Sequence, residues 1–111
     1  MYQASAHELA EALRQSWCTV AAYDANRLVG FGRVLSDGIL YAMVYDLIVL
    51  PSHQTRGIGS EILARLVQKC TLAGIRDVQL FSAAGKSGFY EKRGFKERPV
   101  DAPGMRLSGG T

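Results

Sequence analysis

The sequence predicts a single α/β domain spanning residues 1–111, a mixed and mostly antiparallel sheet flanked by helices. Three observations carry that prediction. The turn signals Asp24-Ala25-Asn26 and Ser36-Asp37-Gly38 separate β-rich runs and imply an antiparallel meander. The most apolar stretch, Ile39 to Leu50, reads as a central strand covered on both faces and closed by Pro51. From Gly57 the apolar spacing turns helical, and a short β run at Asp77 to Ser82 follows, which is the order of a parallel βαβ pair.

The elements follow from the N-terminus. Ser5 with Glu8 three residues later forms a capping box that opens a helix reaching about Ser16. Leu9, Leu13 and Trp17 fall at helical spacing and predict its buried stripe. Strands are expected at Thr19 to Tyr23 and Arg27 to Leu35. In the helix Gly57 to Ala73, Ile58, Ile62, Leu63, Leu66, Val67 and Cys70 share one face. Glu61 and Arg65 pair on the other face, and Gly74 suits the C-cap. A short helix near Lys86 to Arg93 ends at Gly94, with final strands expected near Phe95 and Met105 to Leu107. Ser108 to Thr111 read as a frayed end.

Composition excludes several classes. With 48% hydrophobic and 21% charged residues, the chain has the balance of a folded domain rather than a disordered one. A net charge of +3 is spread among acids rather than gathered in a run, so a nucleic-acid partner is not expected. Cys18 and Cys70 lie far apart without metal-ligand spacing, which gives neither a zinc site nor a disulfide framework. No apolar run is long enough for a bilayer, and the first residues lack a signal-peptide pattern. No membrane partner and a cytoplasmic location are the expectations.

The informative segment joins the central strand to the long helix: Asp46-Leu-Ile-Val-Leu-Pro-Ser-His-Gln-Thr-Arg-Gly-Ile-Gly-Ser60. Glycines let a ligand approach the backbone closely. The first amides of the helix lack internal partners and lie at the positive end of its dipole, so they suit a diphosphate. Arg56 adds a positive charge there. The spacing is neither that of a Walker A loop nor the three-glycine dinucleotide fingerprint.

Gln54-x-x-Gly57-x-Gly59 after a strand resembles the Q/R-x-x-G-x-G/A motif of the GNAT acetyltransferases. Gly88-Phe-Tyr-Glu-Lys-Arg-Gly-Phe95 resembles that family's second signature, and the two stand in the family's order. The run from Asp46 to His53 is similar to small bacterial GNATs related to plastid and cyanobacterial serotonin N-acetyltransferase. The resemblance covers Thr19 to Leu107 and implies the acyl-CoA N-acyltransferase fold. In that fold the central strand splays from its parallel neighbour, and the pantetheine arm of acetyl-coenzyme A (acetyl-CoA) inserts between them.

Carried over by position, the resemblance puts Leu47, Ile48 and Val49 along that arm. The Val49 backbone would pair with it, and the Leu47 amide would face the thioester oxygen where charge develops. Gln54 opens the motif, and the backbone amides of Arg56, Gly57, Ile58, Gly59 and Ser60, with Thr55 beside them, would hold the diphosphate. Phe89 and Tyr90 belong to the second signature, with the Tyr90 phenol protonating the departing thiolate. Lys86 and Lys92 are candidates for the coenzyme's phosphates, or else solvated lysines.

The residues themselves supply the base candidates. An alkylamine must lose a proton before attack. Asp46 is the first candidate, because a charge within an apolar strand needs a purpose or a partner; a structural acceptor is the alternative. His53 is the second, with an exposed loop histidine as the alternative. Tyr41 and Tyr45 either line an acceptor pocket or belong to ordinary core. Arylalkylamine acetyltransferases carry histidines where this chain has Met43 and Tyr45, and many relatives have an asparagine where Ala83 stands.

GNATs usually begin with a strand and helix ahead of the helix read at Ser5, and neither is expected within residues 1–111. The acceptor wall is therefore expected to be open or completed by a second subunit in a homodimer. The favoured function is acetyl transfer from acetyl-CoA to a primary amine, by direct attack in a ternary complex and without a metal. The alternative is a catalytically impaired coenzyme-A-binding sensor or accessory protein.

Overall fold

A computed structural model describes residues 4–108. The chain falls into two compact units, one formed by Ser5–Phe81 and the other by residues 82–108 with Ala4. The first unit holds α1 (Ala6–Arg14), β1 (Cys18–Asp24), β2 (Arg27–Ser36), β3 (Tyr41–Val49), a single 3-10 turn at Pro51–His53, α2 (Ile58–Leu72) and β4 (Asp77–Leu80). The second holds α3 (Ser87–Glu91).

The sheet order is β1-β2-β3-β4. β1, β2 and β3 run antiparallel as the two turn signals required, and β3 pairs with β4 in parallel. Asp37 shapes the β2–β3 turn, because its Oδ1 accepts from the amides of Ile39, Leu40 and Tyr41. Those amide bonds hold the Asp37 carboxyl below its ordinary range.

Helix α2 covers one sheet face. Its Ile62, Leu63, Leu66 and Cys70 are buried with Val34, Ala42 and Val44 of the strands. The approach is close because β2 presents glycines to the helix. A Cβ on Gly30 would stand 2.9 Å from Ile62 Cδ1, and one on Gly32 would stand 2.9 Å from Leu66 Cδ1. These two glycines therefore set the helix–sheet spacing, a role composition and periodicity did not reveal.

Three expectations need correction. The capping box at Ser5 and Glu8 forms, but α1 buries no residue; Leu9 is 53% and Leu13 41% exposed. Helical spacing shows that an apolar stripe exists and says nothing of what lies against it. The central strand is covered on one face only, with Tyr41 60% and Ile48 59% exposed. The expected final strands are absent among the described residues, and Met105 and Leu107 are exposed. A few apolar residues without a ladder partner do not make a strand. Of the frayed end, Gly109 to Thr111 lie outside the described residues.

Two outcomes follow from this packing. Gly32→Val is expected to destabilise the fold by about 1–3 kcal/mol through overpacking against α2, read as a lower midpoint in thermal unfolding. Asp37 has a depressed pKa in the folded state, so its stabilisation is present above the ordinary value of 3.8 and lost as pH falls through the folded value. Melting curves of Asp37→Asn against the wild type, from about pH 6 down to about pH 3, should converge at the acid end.

Candidate active site

Strands β3 and β4 pair only from Tyr41↔Asp77 to Val44↔Leu80. Beyond Val44, β3 keeps its β2 partners, Tyr45↔Arg33, Ile48↔Phe31 and Val49↔Gly30. On the other edge, Tyr45 to Val49 have no strand partner among the described residues. A ladder of backbone donors and acceptors is thereby left for something other than this sheet.

That open stretch contains a β-bulge. Between the Arg33 and Phe31 pairings, Asp46 and Leu47 stand opposite Gly32 alone. Asp46 has φ of +58°, the left-handed region that a non-glycine residue enters at a cost. Its Oδ2 accepts from Arg33 Nε at 2.7 Å, and among the described residues Oδ1 has no partner. The carboxylate is half exposed. Sequence gave Asp46 a catalytic or a structural reading; one oxygen is now accounted for structurally and the other is open.

The strand leads into the 3-10 turn and then into α2. Gly57 is the N-cap, with φ of +83°, and a Cβ there would meet nothing within 4 Å. Thr55 is also left-handed, at φ of +64°. The first bond inside the helix is Glu61 N–H to Gly57 O, at 3.0 Å. The amides of Ile58 and Gly59 precede it, and Gly57 has no side chain to cap them. Room above the glycine, unspent amides and the exposed Arg56 form a cradle for an anion. A cleft of about 420 Å3 adjoins it, lined by Arg56, Gly57 and Arg65 beside β1.

Gln54 is exposed, and its Nε2 donates to Val49 O at 3.0 Å. The motif glutamine thus ties the loop to the end of β3 and occupies part of the Val49 carbonyl. His53 differs more from expectation: it is buried at 8% exposure rather than exposed on a loop. Its Nε2 lies 2.8 Å from Asp24 Oδ2, and Nδ1 lies 2.7 Å from Ser52 Oγ. A carboxylate only accepts, so Nε2 carries the hydrogen towards Asp24. Both ring nitrogens are engaged, and the ring fastens the loop to the β1–β2 turn. The Asp24 carboxyl is held below its ordinary range by this hydrogen bond, then by the charges of His53, Arg56 and Arg27.

On the sheet face opposite α2, Leu35, Tyr41 and Met43 line an open cleft of about 490 Å3 with Asp37 and Asp77 at its rim. Tyr41 and Tyr45 are exposed there and not core. In the second unit, Tyr90 packs edge-on to Phe89 and Phe95, with ring centroids 5.1 and 6.1 Å away. Burial pushes the Tyr90 phenol above its ordinary value, which keeps it protonated. Lys86 precedes α3 and Lys92 follows it, and both are exposed.

Sequence reasoning missed Arg33, Asp24 and Ser52. Arg33 was within reach, because a charge inside an apolar strand calls for a partner whatever its sign. Asp24 and Ser52 carry no such signal, since both are ordinary turn residues.

Comparison with known proteins agrees with this geometry. A family described as acetyltransferase (GNAT) domain matches residues 14–97. GCN5-related N-acetyltransferase 1, chloroplastic, of Arabidopsis thaliana is 35% identical over 79 residues, covering 71% of this chain and 40% of that protein. Serotonin N-acetyltransferase 2, chloroplastic, of Oryza sativa is 35% identical over 85 residues, covering 77% and 42%. The chain thus spans less than half the length of these curated relatives. Among solved structures, a GNAT family acetyltransferase from Streptococcus pneumoniae superposes with a TM-score of 0.82 at 33% identity, covering 93% of this chain and 79% of that one. A probable acetyltransferase from Staphylococcus aureus superposes with a TM-score of 0.87 at 28% identity, covering 97% and 83%. The open strand edge, the glycine-capped helix start and these matches together make this chain a member of the GNAT acetyltransferase family.

Proposed function

We propose that this chain transfers an acetyl group from acetyl-CoA to a primary amine, by direct attack while both substrates are bound. The observation that carries the reading is the free edge of β3 from Tyr45 to Val49, leading directly into the cradle at Gly57. An extended pantetheine arm finds backbone partners along such an edge, and a diphosphate finds amides and Arg56 at its end. Acetyl-CoA supplies an activated thioester carbonyl.

The chain's own residues supply the rest. The amide of Leu47, at the bulge, is the donor for the oxyanion that develops on that carbonyl. Asp46 Oδ1 is the open acceptor for the proton of an incoming ammonium, directly or through water. His53 serves as the anchor of the phosphate-binding loop, because both of its nitrogens are engaged. Tyr90 keeps its phenol hydrogen, the group to which the family's second signature gives the protonation of a leaving thiolate. Cys70 is buried and its thiol pushed up by burial, which suits a packing role and not a covalent intermediate. The serotonin acetyltransferase among the relatives makes a small amine the natural first acceptor to test.

Calorimetric titration with acetyl-CoA tests the coenzyme site. Saturable binding by the wild type, lost in Gly57→Asp, is expected, and no binding by the wild type removes the reading. Release of free coenzyme A thiol in the presence of small amines then tests transfer; tight binding without turnover on any amine would leave a coenzyme-binding protein instead. His53→Leu, which leaves Asp24 without a donor, is expected to raise KM for acetyl-CoA about tenfold with kcat within about twofold. An unchanged KM with a collapsed kcat would return His53 to the chemistry.

A further inference from the structure

Arg33 is a charged side chain in the middle of β2, flanked by buried Gly32 and Val34. It is only 14% exposed, against 49% for the Asp46 carboxylate that it meets. Its fork is used in two directions. Nε donates to Asp46 Oδ2 at 2.7 Å, while Nη1 donates to Ser16 Oγ at 3.1 Å and to Ala12 O at 3.3 Å. One guanidinium therefore joins the bulge of β3 to the C-terminal end of α1.

Asp46 needs such a hold. A non-glycine residue at φ of +58° persists only where its surroundings over-determine it. Among the described residues Arg33 is the only side chain that bonds to Asp46. Asp46 and Leu47 share the single opposite residue Gly32, so the conformation of Asp46 decides which way the following peptide turns. That peptide carries the Leu47 amide. A relaxed Asp46 would rotate the amide while leaving the coenzyme cradle at Gly57 untouched.

We propose that Arg33 is a positioning residue for acetyl transfer. It holds Asp46 in the left-handed bulge and so fixes the direction of the Leu47 amide. This rests on the transferase reading above. Arg33 touches neither substrate in this account and acts through Asp46 alone. A lysine in its place keeps one donor for the carboxylate but lacks the planar fork that also reaches α1.

The test combines steady-state kinetics with the 1H–15N resonance of the Leu47 amide in leucine-labelled protein. Arg33→Gln is expected to shift that resonance and to lower kcat about tenfold or more, with KM for acetyl-CoA changed less than about twofold. Asp46→Gly supplies the decisive background, because glycine takes the left-handed conformation unaided. Adding Arg33→Gln to Asp46→Gly should leave both the resonance and kcat at the level of Asp46→Gly alone. An unmoved resonance in Arg33→Gln, or an equal fall of kcat in both backgrounds, overturns the proposal. Arg33→Lys keeps the bond to Asp46, so its resonance should stay in place; a shift as large as that of Arg33→Gln would move the assignment from Asp46 to α1. The resonance reads the bulge even where no variant turns over. A wild type inactive on every amine would therefore remove the transferase reading and leave this one still measurable.

Discussion

The contact between α2 and the glycine face of β2 positions everything else in the site. Gly30 and Gly32 admit Ile62, Leu66 and Ile58 to distances that a Cβ would contest. The helix is thereby seated on the sheet with Val34, Ala42 and Val44 sealed beneath it. Its N-terminus then follows from chain length alone, since only residues 50–57 separate the end of β3 from Ile58. A helix start that offers its amides to an anion must be held in place by more than its own loop. Here the packing of the helix body does that, aided by Gln54 on Val49 and by His53 on Asp24.

The same glycine has a second consequence. Gly32 is the residue opposite the bulge, where two residues of β3 face one of β2. A side chain at position 32 would crowd Leu66 and would also press on Leu47 Cδ1, 3.4 Å from where its Cβ would lie. Helix packing and strand irregularity are thus coupled through one missing methyl group. The strain at Asp46 is tolerated because Arg33 opposes it from the other face of β2. Local strain of this kind collects where a backbone group must point in a direction that regular pairing would deny it.

Much of this was legible in the sequence where chemistry and spacing agree. The capping box, both turns, the long helix and the parallel strand follow from local patterns, and each formed within a few residues of its expected bounds. The helix-start glycines read correctly because left-handed backbone is a local demand that glycine meets. What stayed hidden depends on partners. Apolar spacing in α1 and β3 showed which residues share a face, but the partner that would cover Leu9, Leu13, Tyr41 and Ile48 is not encoded in their periodicity. The charge of Asp46 marked the position but not the bulge, because a regular strand with a cross-strand partner would hold the same charge. Gly30 and Gly32 read as weaknesses in a strand, and only the helix above them gives them a purpose.

Asp46 was singled out as a charge inside an apolar strand, and His53 as an imidazole, the side-chain type whose ordinary range suits a base. The structure treats the two groups differently. His53 is satisfied: its ring is buried, Nε2 is spent on Asp24, and Nδ1 on Ser52. Neither nitrogen is left open to an incoming amine, since both are held by neighbouring side chains. Asp46 is satisfied on one oxygen only, and its half-exposed carboxylate belongs to the stretch of β3 that has no β4 partner. A base must have an unoccupied acceptor atom before its affinity for a proton matters. By that criterion geometry ranks the two before any titration does. The remaining charge in the cluster, Arg33, then has the role of keeping the carboxylate where that open oxygen is useful.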